Sequence, residues 1–117
     1  MKQTVLIVDD HPGFRACARE LLRSEGFEVA GEAGDAAAAA AATRELRPDI
    51  VLLDVQMPGV DGIQASREIA VLNGGTAIVL VSSRDLTDLA VAIADAPVRG
   101  FISKSELSGS AIRQLVG

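Results

Sequence analysis

Three uninterrupted apolar runs, Val5 to Val8, Ile50 to Leu53 and Ala77 to Val81, constrain this chain more than any other feature of it. Each is short and bounded by turn residues, the pattern of a strand buried on both faces by crossover helices. Phe27-Glu28-Val29 and Val98-Arg99-Gly100-Phe101-Ile102 mix polar with apolar residues and read as strands at the edges of the same sheet. A helical pattern follows each of the first four strands before the next begins, so the predicted fold class is α/β with a parallel sheet.

A central first strand, with the second and fifth at the edges, gives a five-stranded parallel sheet of order 2-1-3-4-5. This is the doubly wound, flavodoxin-like arrangement with right-handed crossovers. The first helix is predicted from Phe14, Cys17, Ala18, Leu21 and Leu22 at helical spacing, with Pro12 in its first turn and Gly26 at its end. Cys17 lies on that apolar stripe and reads as core. Ala36 to Ala42 is an alanine run behind a capping Asp35, strongly helical but poor in packing volume. A fourth helix is predicted from Leu86, Leu89, Ala90, Ile93 and Ala94, stopped by Pro97; a last one begins with Ser105 as cap and carries Leu107, Ala111 and Leu115.

At 117 residues the chain fits one domain, residues 1–117, with no output domain expected within it. Lys and Arg number 11 against 16 Asp and Glu, a net charge of -5, so there is no broad cationic face for nucleic-acid phosphates. Cys17 is the one cysteine, which excludes an internal disulfide or a Cys-cluster metal site and fits a reducing compartment. The apolar run after Met1 is too short for a signal peptide or a membrane span, and the expected location is the cytoplasm, away from any membrane.

In open parallel sheets, ligands bind beyond the carboxyl ends of the strands, where the winding reverses. Asp9 and Asp10 end the first strand, Asp54 the third, Ser82 follows the fourth and Lys104 the fifth, so all five fall at one rim. Singly, each has a bland role as a cap, a loop donor or a solvated charge. Together they bring three carboxylates to one place, although like charges about 4 Å apart repel by roughly 4 kcal/mol at an effective dielectric of 20. A bound cation resolves this, and an all-oxygen donor set suits Mg²⁺. His11 follows the acidic pair and reads as a helix-start surface residue rather than a ligand.

The stretches Val5-Leu6-Ile7-Val8-Asp9-Asp10-His11-Pro12, Leu52 to Gly62, Val81-Ser82-Ser83 and Gly100-Phe101-Ile102-Ser103-Lys104 together resemble the receiver domain of two-component response regulators. The opening Asp-Asp-His-Pro and Gly31 to Asp35 look most like the nitrate-response and nodulation-regulator (NarL/FixJ-like) subfamily. The resemblance implies two-component phosphorelay signal transduction, with Asp54 as phosphoacceptor and Mg²⁺ held by Asp9, Asp10, Asp54 and the backbone carbonyl of Gln56. It assigns Lys104 and Ser82 to the phosphoryl group, and Phe101 with Ser82 to the switch. It also implies a sensor histidine kinase or histidine phosphotransfer protein as donor, and a homodimer through the fourth or fifth helix as one assembly. Phe101 lacks the hydroxyl of the commoner tyrosine, so a switch there works through packing. Relatives usually carry a DNA-binding domain after the receiver, and the sequence leaves open whether this receiver stands alone.

Three other functions have distinguishing marks. A haloacid-dehalogenase-type hydrolase would need an Asp two residues after the nucleophile, where Gln56 stands. A flavodoxin-like electron carrier would need a phosphate-cradling first loop, where Asp9-Asp10-His11-Pro12 repels phosphate. A pseudo-receiver acting only by docking would not need the acidic pair, Asp54, Ser82 and Lys104 together.

Overall fold

The computed structural model describes residues 2–57, 60–83 and 96–116. Its main sheet has five parallel strands, β1 (Thr4–Val8), β2 (Glu28–Ala33), β3 (Ile50–Asp54), β4 (Ala77–Ser82) and β5 (Gly100–Ser103), in the order β2-β1-β3-β4-β5. This is the doubly wound order expected from the three apolar runs. Both edge strands are the mixed ones.

Strand alternation sorts the core into two layers. Val5, Ile7, Ile50, Leu52, Val79 and Val81 face one side and pack with residues of α1 (Pro12–Ser24) and α4 (Gly109–Val116). Leu6, Val8, Val51, Leu53, Ile78 and Leu80 face the other, against α2 (Ala36–Leu46) and α3 (Gly62–Leu72). Every one of these twelve side chains is 0% exposed, so the central strands are covered on both faces. Helix α1 ends as its sequence suggests. Gly26 takes a φ of +94°, the Phe27 N–H donates to the Leu22 carbonyl and the Gly26 N–H to that of Arg23, a Schellman arrangement with Phe27 and Leu22 packed in one cluster. Asp35 caps α2, its carboxylate accepting from the Ala38 N–H at 2.7 Å.

Several expectations need correction. Cys17 is exposed, not core: the buried face of α1 is marked by Ala18 and Leu22, and position 17 lies about 100° around the helix from Ala18. Ser105 does not cap the last helix. It sits in a 3₁₀ turn over Lys104–Glu106, Leu107 is extended, and the Ser108 hydroxyl instead accepts from the Ala111 N–H at 3.0 Å. Strand β2 runs beyond the expected Phe27–Val29, through Gly31-Glu32-Ala33, because a register shift against β1 between Val5 and Leu6 lets the polar edge continue pairing. Strand β5 is shorter than the expected span, starting at Gly100. A small antiparallel ladder, Gln56–Met57 with Val60–Asp61, was not foreseen. The expected fourth helix, at 86–94, lies outside the described residues.

Candidate functional site

The register of the sheet sets the site. Asp54 is the last residue of β3 and pairs with Val81 of β4, while Ser82, next along β4, pairs with Ser103 of β5. Lys104 follows at once. Asp9 follows β1, whose Val8 pairs with Leu53, and the Asp9 N–H is fixed on the Ala33 carbonyl of β2 at 3.0 Å. Four strand ends therefore meet at one rim.

Asp9 is fully buried, Asp54 is 3% exposed and Ser82 4%, so the three sit in a low-dielectric floor. The Lys104 ammonium stands 2.5 Å from Asp9 Oδ2 and 3.6 Å from Asp54 Oδ2. Its other side lies over the Phe14 ring, 4.5 Å from the centroid. The Gln56 N–H donates to Asp54 Oδ1 at 3.1 Å, and the His11 N–H to Asp9 Oδ1 at 2.8 Å. Arg15 Nη1 donates to the Asp9 backbone carbonyl at 2.5 Å. Its Nε bonds Glu32 Oε1 at 3.2 Å, and Arg19 Nε reaches Glu32 Oε2 at 2.6 Å, tying α1 to the end of β2. Phe101 is partly buried against the α2/α3 layer of the core.

Five expected site residues, Asp9, Asp10, Asp54, Ser82 and Lys104, fall at this rim as the apolar runs implied. For Gln56 the structure shows its N–H on Asp54. Phe14, Arg15 and Gly62 were missed. Only the spacing of Phe14 along an amphipathic helix hinted at its burial, and nothing in sequence announced its contact with a lysine 90 positions away. Gly62 opens α3 with its N–H donating to the Val55 carbonyl at 3.0 Å. A Cβ there would lie 2.6 Å from Val55 Cα and 2.9 Å from the Asp54 carbonyl oxygen.

The acidic atoms fit a cation. Ligand atoms of Asp9, Asp10, His11 and Asp54 lie within 4.8 Å of one another. Among the described residues, the buried oxygen Asp9 Oδ2 has only the Lys104 ammonium beside it, and the buried oxygen Asp10 Oδ1 makes no hydrogen bond. The Lys104 ammonium offsets the first by charge but leaves the second facing the cluster. Buried oxygens without donors are costly, and a hard divalent ion takes such atoms as ligands.

Burial is the main reason that the Asp54 carboxyl is pushed above the ordinary carboxylate range; the Gln56 N–H opposes it, Asp9 adds to it, Lys104 opposes it and Asp10 adds again. The folded state thus holds this proton more tightly than the unfolded chain. Stability should therefore fall as pH rises from about 4, the unfolded value, through the raised folded value, with the full penalty remaining above it. In metal-free buffer, Asp54→Asn is expected to lack this fall and to melt above the parent at neutral pH. Thermal unfolding followed by far-UV circular dichroism across pH tests it; parallel profiles for the two proteins would contradict the assigned penalty.

A family model of the response regulator receiver domain matches residues 5–116. The chain is 39% identical over 93 residues to the DNA-binding response regulator MtrA of Mycolicibacterium smegmatis, an alignment covering 80% of this chain and 40% of that protein. It thus spans well under half the length of that relative. It is also 35% identical over 104 residues to the chemotaxis protein CheY of Thermotoga maritima, covering 89% of this chain and 87% of CheY. Among solved structures, the signal receiver domain of the response regulator NarL from Mycobacterium tuberculosis superposes with a TM-score of 0.86 at 31% identity, covering 99% of this chain and 98% of that one.

A doubly wound sheet with an acidic pair, a buried aspartate and a lysine on neighbouring strand ends defines a phosphorelay receiver, and this chain belongs to the response regulator receiver family. Within the family its neighbours include LuxR-family and NarL receiver domains, consistent with the NarL/FixJ-like subfamily. Receivers of this family are phosphoacceptor switches that work with histidine kinases and output partners. Among the described residues no helix is long and apolar enough to cross a membrane.

Proposed function

We propose that Asp54 of this chain accepts a phosphoryl group from a phosphohistidine on a sensor histidine kinase or histidine phosphotransfer protein. The observation that carries this reading is the position of the Asp54 carboxylate: buried, with Oδ1 held by the Gln56 N–H and Oδ2 facing the Lys104 ammonium. A carboxylate oxygen forms the bond to phosphorus as the P–N bond breaks and its electron pair leaves with the donor imidazole. Lys104 meets the negative charge that arrives with the phosphoryl oxygens. Asp9, Asp10, Asp54 and the Gln56 carbonyl would hold Mg²⁺, which when bound neutralises charge on the transferring oxygens.

The aspartyl phosphate adds about -1.5 to -2 charges, so the neighbours of Asp54 must rearrange. Turning a two-state balance from 1:99 to 99:1 takes about 5.5 kcal/mol, and hydrogen bonds to charged groups give roughly 1.5 to 3 kcal/mol each. Lys104 and the Ser82 hydroxyl together approach that sum. Neither reaches it singly. Ser82 moving toward the phosphoryl group makes room for Phe101, whose ring, without a hydroxyl, responds through packing.

The test is incubation with acetyl phosphate, with and without Mg²⁺, followed by intact mass. One Mg²⁺-dependent phosphoryl adduct, absent from Asp54→Asn, is the expected result and would also show that the chain catalyses its own phosphorylation. No adduct from acetyl phosphate or from a phosphohistidine donor, together with no beryllofluoride binding, would overturn the reading in favour of a docking-only pseudo-receiver.

A further inference from the structure

Lys104 has one neighbour at the rim that is not a carboxylate. Its ammonium lies over the Phe14 ring, 4.5 Å from the centroid, with Asp9 Oδ2 at 2.5 Å and Asp54 Oδ2 at 3.6 Å. The lysine is otherwise poorly restrained. It leaves the sheet at the end of an edge strand, and its four-carbon stem carries a compact charge through several rotatable bonds. Phe14, by contrast, is held firmly. It sits in the first turn of α1, one helical turn before the buried Ala18, and packs against the core layer that α1 covers. The ring is thus a fixed surface against which a mobile ammonium rests. Its negative face attracts that charge, and more strongly here because the Lys104 side chain is only 15% exposed.

We infer that Phe14 is a positioning residue for phosphoryl transfer: the face of its ring keeps the Lys104 ammonium at the rim, within reach of the phosphoryl oxygens on Asp54. This rests on the reading that Asp54 is the phosphoacceptor and Lys104 its charge partner. An aliphatic side chain at position 14 fills much of the same space against Ala18 but offers no quadrupole to a cation. The ammonium then spends more of its time out in water, and the fraction of molecules ready for transfer falls. The aromatic ring therefore acts on the rate through Lys104, without meeting the phosphoryl group itself.

The experiment follows Asp54 adduct formation from acetyl phosphate by intact mass in the full chain, Phe14→Leu and Phe14→Tyr. The parent and Phe14→Leu are also compared in a Lys104→Met background. Phe14→Leu is expected to slow the adduct about threefold to tenfold, and Phe14→Tyr, which keeps the ring, to stay within about twofold of the parent. In the Lys104→Met background Phe and Leu at position 14 should give equal rates, since no charge remains to be held. A second readout needs no phosphodonor. Lys2 and Lys104 are the two lysines, and Lys2 is exposed. Acetylation by a trace of acetic anhydride, read by peptide mass, therefore reports the accessibility of Lys104 against an internal standard. That ratio should rise about threefold or more in Phe14→Leu and stay level in Phe14→Tyr. Equal adduct rates in the parent and Phe14→Leu would overturn the inference and leave the phosphoacceptor reading standing. A slowing that persists in Lys104→Met, or that Phe14→Tyr shares, would also overturn it, because Phe14 would then act through the packing of α1. If the parent forms no adduct from any donor, the phosphoacceptor reading fails, and this inference with it.

Discussion

Lys104→Ala is expected to lower the unfolding free energy by about 3 kcal/mol in metal-free buffer, a drop in melting temperature of roughly 10 °C. The Lys104 side chain is 15% exposed and its ammonium stands 2.5 Å from the carboxylate of the fully buried Asp9. Removing one member of such a pair leaves the other as an uncompensated charge in a medium that solvates it poorly, which costs more than the pair itself contributes. The contact with the Phe14 ring disappears as well. Because most of the loss is charge left behind on Asp9, it should shrink by more than half when Lys104→Ala is made in an Asp9→Asn background. The four proteins of this double-mutant cycle, compared by thermal unfolding, decide the matter. An equal cost in both backgrounds would mean that Lys104 stabilises through its hydrocarbon stem.

Gly62→Ala is the second large effect, expected to cost about 2 to 3 kcal/mol and to slow formation of the Asp54 adduct at least tenfold. The new methyl group would lie 2.6 Å from Val55 Cα, 2.7 Å from the Val55 oxygen and 2.9 Å from the Asp54 oxygen. These are backbone atoms and cannot rotate away as a side chain would. The strain is relieved only if α3 withdraws from the segment that carries both Asp54 and the Gln56 N–H, so stability and chemistry should fall together. Chemical denaturation and the rate of adduct formation by mass spectrometry test this. Loss of stability with an unchanged rate would show that the loop tolerates the displacement without disturbing Asp54.

Asp9, Asp54 and Lys104 could be read from the sequence because each lies at the carboxyl end of a recognisable strand, and parallel strands bring those ends to one rim. The charge repulsion among Asp9, Asp10 and Asp54 then implied a cation before any geometry was known. What could not be read depends on contacts between distant segments or on local choices of nearly equal energy. Phe14 meets Lys104 only because the fold brings the first turn of α1 to the end of β5, whereas Arg15 reaches back six residues to the Asp9 carbonyl by one of several conformations open to a long side chain. Ser105 and Ser108 are equally good caps in isolation. Gly109 resolves the choice: its N–H donates to Glu25 at the end of α1, and the Glu25 side chain, with Phe27 beside it, occupies the space that a Cβ at this position would take. Cys17 shows the limit of a stripe argument, since two buried positions on α1 fix the inward face and a residue about 100° away belongs to the surface.

The placement of Lys104 directly after β5 bears on how the domain opens. Strand β5 has four residues, lies at the edge of the sheet and, among the described residues, pairs with β4 alone, whereas β1 and β3 are held on both sides. Partial opening of a protein follows such boundaries, and an edge strand detaches at lower free energy than the strands inside it. The lysine can thus leave the carboxylates in a sub-global fluctuation that keeps β1 and β3 paired and Asp9 beside Asp54. The lifetime of the closed rim is then governed by the fraying of one short strand, and a partner that binds the outer edge of β5 would lengthen it without touching any acidic residue.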